Sequence, residues 1–286
     1  MQELDRSEWE PRASVHAARV DALVAPHLAR RDAQVKHPVH DFLFTYYAHR
    51  PAQLRRWHPG FGVRLLDAPE YDGLKGYADG AVTSSHVAAQ RPLVEGLHRL
   101  LAATASRPAH TGCFGLHEWA MVYRLGDDET RHADWPLRLG GSGTDRVVEG
   151  HRIACTHFDA FRFFTPPARG LNTLSPGRDD RADFEQPGCL HAGMDLYKHA
   201  FRLSPMVPSD VVLDAFELAR DIRVLDMRAS PYDLAGLGFE PVRIETPDGK
   251  REYAAAQAAF AERGAPIRER LVEVCAGLLA AAGSCA

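Results

Sequence analysis

No run of apolar residues in the sequence is long enough to span a bilayer. The first twelve residues, MQELDRSEWEPR, are polar and acidic with no apolar core behind them. Both features argue against membrane insertion and a secretory signal peptide, and they predict a cytoplasmic protein. Clustered basic residues are scarce: 34 Lys and Arg stand against 38 Asp and Glu, a net charge of −4. That balance argues against a broad phosphate-binding surface and so against nucleic acid as a partner. The five cysteines, Cys113, Cys155, Cys189, Cys275 and Cys285, contain no CxxC pair. An odd number so spaced speaks against a disulfide framework or a zinc knuckle and predicts free thiols. A Gly-rich phosphate loop is missing too, because GGSG at 140–143 lacks the flanking strand and Lys, and no internal repeat is found.

What is present is a globular composition, 45% hydrophobic and 25% charged over 286 residues, read as one domain spanning 1–286. Helical periodicity is clear around Leu93–Leu101, where apolar residues recur at i, i+1, i+4, i+7 and i+8, and again over 210–228. Further helices are expected at 14–31, on both sides of Pro51, and at 250–263 and 266–282. The acids Asp214, Glu217 and Asp221 fall off the apolar stripe of 210–228 and read as a solvated face. Residues 63–85 read as irregular connection with a short strand at Val63–Leu66. Residues 126–145 read as a polar loop, and 166–188 as a long loop able to act as a lid. The chain is therefore predicted to be mainly α with long irregular loops. One segment stays open: 147–164 reads either as helix or as a strand, which would make the fold α+β. The strand places His151, Cys155, His157 and Asp159 on one face; the helix joins His151 to Asp159 and Glu149 to His157.

Fifteen histidines are many for this length, and several stand near carboxylates in apolar settings. In CLHAGMDLYKHAFRL (189–203), His191, Asp195 and Lys198 share one helical stripe, which suits either a shared metal ion or a solvated i,i+4 pair with Lys198 as counter-ion. Glu118 lies in GLHEWAMVYRL among Leu116, Trp119 and Met121, so it must be paired, protonated or bound to a cation. An arginine partner is the alternative to a metal. Adjacent helical residues diverge by about 100°, so Glu118 is preferred to His117 as the inward group. Collecting Glu118, Glu149, His151, His157, Asp159, His191, Asp195 and His199 gives the carboxylates and imidazoles of a non-haem iron or di-iron site. A buried hydrogen-bonded network in a non-enzymatic helical binding protein is the competing reading.

HPVHDFLFTYY, GLHEWAMVYR, CTHFDAFRFFTP, CLHAGMDLYK and LDMRASPYDL resemble the blocks of an actinobacterial family often labelled 3-methyladenine DNA glycosylase, over nearly the whole chain. That label would imply removal of alkylated bases, although the Gly-rich hairpin and catalytic Asp of one glycosylase branch are not found here. The pattern is also similar to haem-oxygenase-like di-iron oxidases. This resemblance implies a helical bundle with Glu118 as a lone ligand, Glu149 and His157 as a pair, and His191 and Asp195 on the last ligand helix. There the family's terminal His falls on Lys198, with His199 one position beyond. Among such oxidases the chain looks most like those that desaturate isoleucine and close an azetidine ring. The resemblance implies two Fe(II)/Fe(III) ions per chain, O2 as co-substrate, an external reductant and a small aliphatic amino acid as substrate. Arg162 or Arg228 would take the substrate carboxylate and Asp159 its amine.

Overall fold

The computed structural model describes residues 1–47, 49–126 and 135–283. The middle of the expected polar loop and Cys285 lie outside these. In chain order the elements are β1 (Gln2–Leu4), α1 (Arg6–Asp32), α2 (Phe42–Thr45), α3 (Pro51–Arg55), β2 (Val63–Leu65), β3 (Tyr77–Ala78), β4 (Ala81–Val82), α4 (Ser84–Ala89), α5 (Arg91–Ala105), α6 (Leu116–Ala120), α7 (Gly140–Glu149), α8 (Phe158–Phe161), α9 (Pro166–Arg169), α10 (Arg181–Phe184), α11 (Leu190–Leu203), α12 (Ser209–Arg228) and α13 (Pro247–Gly283). The fold is mainly α with long loops, as expected from the periodicity. Among the described residues, no helix is long and apolar enough to cross a membrane.

Contacts divide the chain into two compact units, one of Met1–Ala102, Leu196–Glu217 and Pro266–Ala286, the other of Ala103–Asp195 and Leu218–Ala265. Each boundary falls inside a helix, which is why no linker composition marks it in the sequence.

In the first unit a four-stranded sheet of order β1-β2-β4-β3 pairs β1 with β2 in parallel and the rest antiparallel. Trp9 and Tyr71 pack edge to face at 5.8 Å over Leu4 and Leu65, and the indole donates to the Leu66 carbonyl at 2.9 Å. This anchor explains why α1 begins well before the expected Ser14. Asp5 caps it in a reciprocal capping box with Glu8, and both Pro11 and Pro26 are carried inside the helix. Pro266 is likewise carried inside α13, so the two expected C-terminal helices are one. Proline removes one N–H bond, but its fixed φ is helical.

The second unit is built around Trp119, which is fully buried and donates to the Ala229 carbonyl at 2.8 Å, with the Arg138 guanidinium 5.1 Å from its ring. The ambiguous 147–164 segment resolves as neither reading. Helix α7 runs to Glu149, Ile153 makes a parallel bridge to Asn172, and α8 follows at Phe158. Asn172 holds the extended stretch by exchanging bonds with the Cys155 backbone at 2.7 and 3.0 Å. The expected lid, 166–188, contains two short helices, α9 and α10.

Candidate metal centre

Two buried groups of charged side chains, both in the second unit, flank one histidine. The first joins α6 to α12. Phe114 and Gly115, both left-handed at φ 47° and 68°, turn the chain into α6. His117 Nε2 lies 3.0 Å from Asp226 Oδ1 and 3.9 Å from Glu118 Oε1. Arg223 Nη1 donates to Asp226 Oδ2 at 2.6 Å and to Glu118 Oε1 at 3.3 Å. One donor atom from each of His117, Glu118 and Asp226 lies within 4.8 Å of the others. Burial opposes charge on the His117 imidazole, but the bond to Asp226 and its negative charge hold the His117 pKa above the ordinary value. Burial likewise opposes ionisation of Asp226, yet His117 and Arg223 keep its carboxyl well below the usual range. His117 and Asp226 are thus held as an ion pair.

The second group joins α10, α11 and the stretch before α8. His157 is fully buried, with Nε2 3.4 Å from Glu185 Oε1 and 3.4 Å from Asp195 Oδ2. Arg181 spans the two acids, donating to Asp195 Oδ2 at 2.8 Å and to Glu185 one turn along. His157 Nδ1 is buried with no hydrogen-bond partner among the described residues. His191 stands between the groups, its ring centroid 4.5 Å from that of His117 and 5.3 Å from that of His157. Burial and then the neighbouring His117 push its pKa well below the ordinary value, so its imidazole is neutral, the form that binds metals. Among these side chains, four carboxylates against two guanidiniums and the charged His117 imidazole leave one negative charge in excess. Among the described residues, the donor atoms of His117, Glu118 and Asp226 lie close enough together to hold one cation.

His117 and His191 open onto a cavity of about 750 Å³. The start of α11 is held beside it by Gln186, whose side-chain oxygen accepts from the His110 and Gly188 amides at 2.9 and 2.7 Å. Gly188 lies so near the His110 backbone that a Cβ would come within 2.5 Å of its carbonyl oxygen.

Of the ligands expected from the sequence, Glu118, His157, His191 and Asp195 are brought together. Glu149 is not. It is the last residue of α7, half exposed, and accepts from Tyr123 Oη at 2.8 Å and Arg124 at 2.9 Å. Those two donors, Tyr123 first, also lower its pKa. His151 lines the cavity, with Nδ1 2.6 Å from the Val147 carbonyl oxygen. Lys198 and His199 fall in the first unit, where Lys198 lies 6.0 Å from the Tyr47 ring centroid and His199 is buried. Asp159 pairs with Arg162 at 3.3 Å, and Arg162 lies over Phe163. Arg228 is held by the Glu240 carbonyl at 2.8 Å and Glu252 at 3.2 Å. None of Asp159, Arg162 and Arg228 lines the cavity.

Sequence reasoning missed His117, Glu185 and Asp226, and both arginines. The divergence of neighbours on a helix favours Glu118 over His117 as the inward group. Here Asp226 and Arg223, three residues apart on α12, meet both His117 and Glu118 from across the unit. For Asp226 and Arg223 the available signal was their i,i+3 spacing inside an otherwise apolar stripe. Comparison with family models, curated proteins and solved structures gives no match to this chain.

Proposed function

We propose that the chain is an oxygen-dependent non-haem iron oxidase acting on an aliphatic carboxylic acid. The observation that carries this reading is the convergence of three histidines and four carboxylates, in excess over their two arginines, beside a cavity. In this reading His117, after giving up the proton it shares with Asp226, would hold one iron with Glu118 and Asp226, and His157, Glu185 and Asp195 would hold a second, with His191 between them. Bound iron would supply oxygen activation and abstraction of hydrogen from an unactivated C–H bond.

The chain's own residues orient and exclude. Arg223 and Arg181 each restrain two carboxylates that would otherwise repel, and all four acids are buried away from bulk water. Desaturation removes two hydrogens and two electrons from the substrate. Reduction of O2 to water takes four electrons, so an external reductant supplies the other two. Ring closure between nitrogen and carbon has the same balance.

A second reading has an observation in its favour: each carboxylate already meets an arginine or histidine, as a structural network would require. Iron binding separates the two. Anaerobically purified protein titrated with Fe(II) should take up close to two irons per chain, with Asp226→Asn and His191→Ala each lowering the number. Oxygen uptake should then follow addition of reductant and substrate. Less than one iron per chain, unchanged by His191→Ala, would sink the oxidase reading and leave the network.

A further inference from the structure

The cavity beside the candidate metal centre has a graded wall. Its deep part is apolar and soft: Ile153, Leu116 and Leu190 are almost fully buried, and the thiols of Cys155 and Cys189 join them. Burial raises the pKa of all three lining thiols, that of Cys155 to about 12, so they are neutral walls rather than nucleophiles. The outer part is cationic. Arg152 is exposed, and half-buried Lys250 sits at the start of α13 with its ammonium 5.9 Å from the Phe114 ring centroid. Among the described residues that line the cavity there is no Asp or Glu. Among the described residues, neither cation is in an ion pair, whereas Arg138, Arg181 and Arg223 of the same unit are all committed to carboxylates.

From this gradient we infer that Arg152 and Lys250 receive the carboxylate of an aliphatic substrate whose body lies on the Cys155–Cys189–Ile153 floor, so that carbons remote from the carboxylate are presented to His117 and His191. Cations outside any ion pair attract an anion, whereas His117 in the depth is already paired with Asp226 and leaves a carboxylate there without a partner for its lost solvation. The opposite orientation is therefore disfavoured at both ends. A cavity of about 750 Å³ exceeds a five- or six-carbon acid and admits a longer chain. This inference rests on the oxidase reading for its chemistry, but the binding it describes does not need the metal.

The test is calorimetric titration of the metal-free protein with octanoate and octanamide, which share a body and differ in charge. Octanoate should bind about ten-fold or more tightly than octanamide, the usual worth of a charge-assisted contact. The Arg152→Ala/Lys250→Ala double variant should bind the two alike, with iron uptake unchanged. Ala154→Phe, which adds bulk at a lining position, should weaken both ligands at least about five-fold by excluding the chain. Equal binding of octanoate and octanamide to the unaltered protein, an octanoate preference that survives in the double variant, or unaltered binding in Ala154→Phe would overturn the inference. Failure of iron uptake with charge-selective binding intact would count against the oxidase reading alone.

Discussion

Arg223 is fully buried and holds two acids, Asp226 and Glu118. Replacing it with methionine keeps most of the volume but leaves two carboxylates facing one imidazole. Breaking a buried ionic group by removing one partner costs about 3–5 kcal/mol, so denaturant unfolding of metal-free Arg223→Met should show a loss of that order. The same change deepens the local negative potential. Fe(II) or Mn(II) should therefore recover more stability in the variant than in the unaltered protein. A loss that metal does not reduce would mean the carboxylates are not poised for a cation. Glu149 is the contrasting residue: Glu149→Gln should leave iron uptake unchanged, because its carboxylate is turned to the surface.

At the scale of elements, the β3–β4 hairpin shows a signal present in the sequence and passed over. Asp79 and Gly80 both take positive φ, 48° and 72°, between two-residue strands, the geometry for which Asp-Gly is favoured. Residues 63–85 read as irregular because strands this short give too few positions for alternation to show. The glycine is required twice over, since a Cβ there would stand 2.1 Å from the Leu65 carbonyl oxygen, while the Gly80 carbonyl accepts from the Leu65 amide at 2.9 Å. Gly80→Ala should cost more than about 1 kcal/mol in the same unfolding assay. The face of α12 expected to be solvated is so, with Asp214 and Glu217 paired to Arg19, and Asp221 to Arg263, on exposed surface.

For the molecule as a whole, histidine burial sets the acid response. Burial lowers the pKa of His16, His37 and His86, and takes His49 and His58 to about 4, with nearby cations adding to the shift in each of the last two. The unfolded chain protonates His49 and His58 near pH 6.5, while the folded protein resists until about pH 4. The unfolded state thus binds more protons across that window, and stability falls as pH falls through it. His49 and His58 together should account for about 2–3 kcal/mol, less than the bare shifts imply because both stay in partial contact with solvent. Urea unfolding between pH 7 and 4 measures this directly. A flat profile would place these rings in contact with water in the folded protein.

Local sequence determined most of the helices and singled out several of the buried polar residues. Leu93–Leu101 and 210–228 are legible because a packed helix face repeats every 3.6 residues, and Glu118, His191 and Asp195 because a charge set among apolar neighbours demands a partner. What local pattern could not supply was the partner itself. His117 and Asp226 are 109 residues apart, and Arg181 reaches Asp195 only because α10 lies within reach of α11. The same spacing rules made Glu149 look equal to Glu118, and only the tertiary structure turned one outward and the other inward. Side-chain periodicity records which face of an element is buried. Which charges meet on that face is decided by how elements far apart in sequence pack against one another.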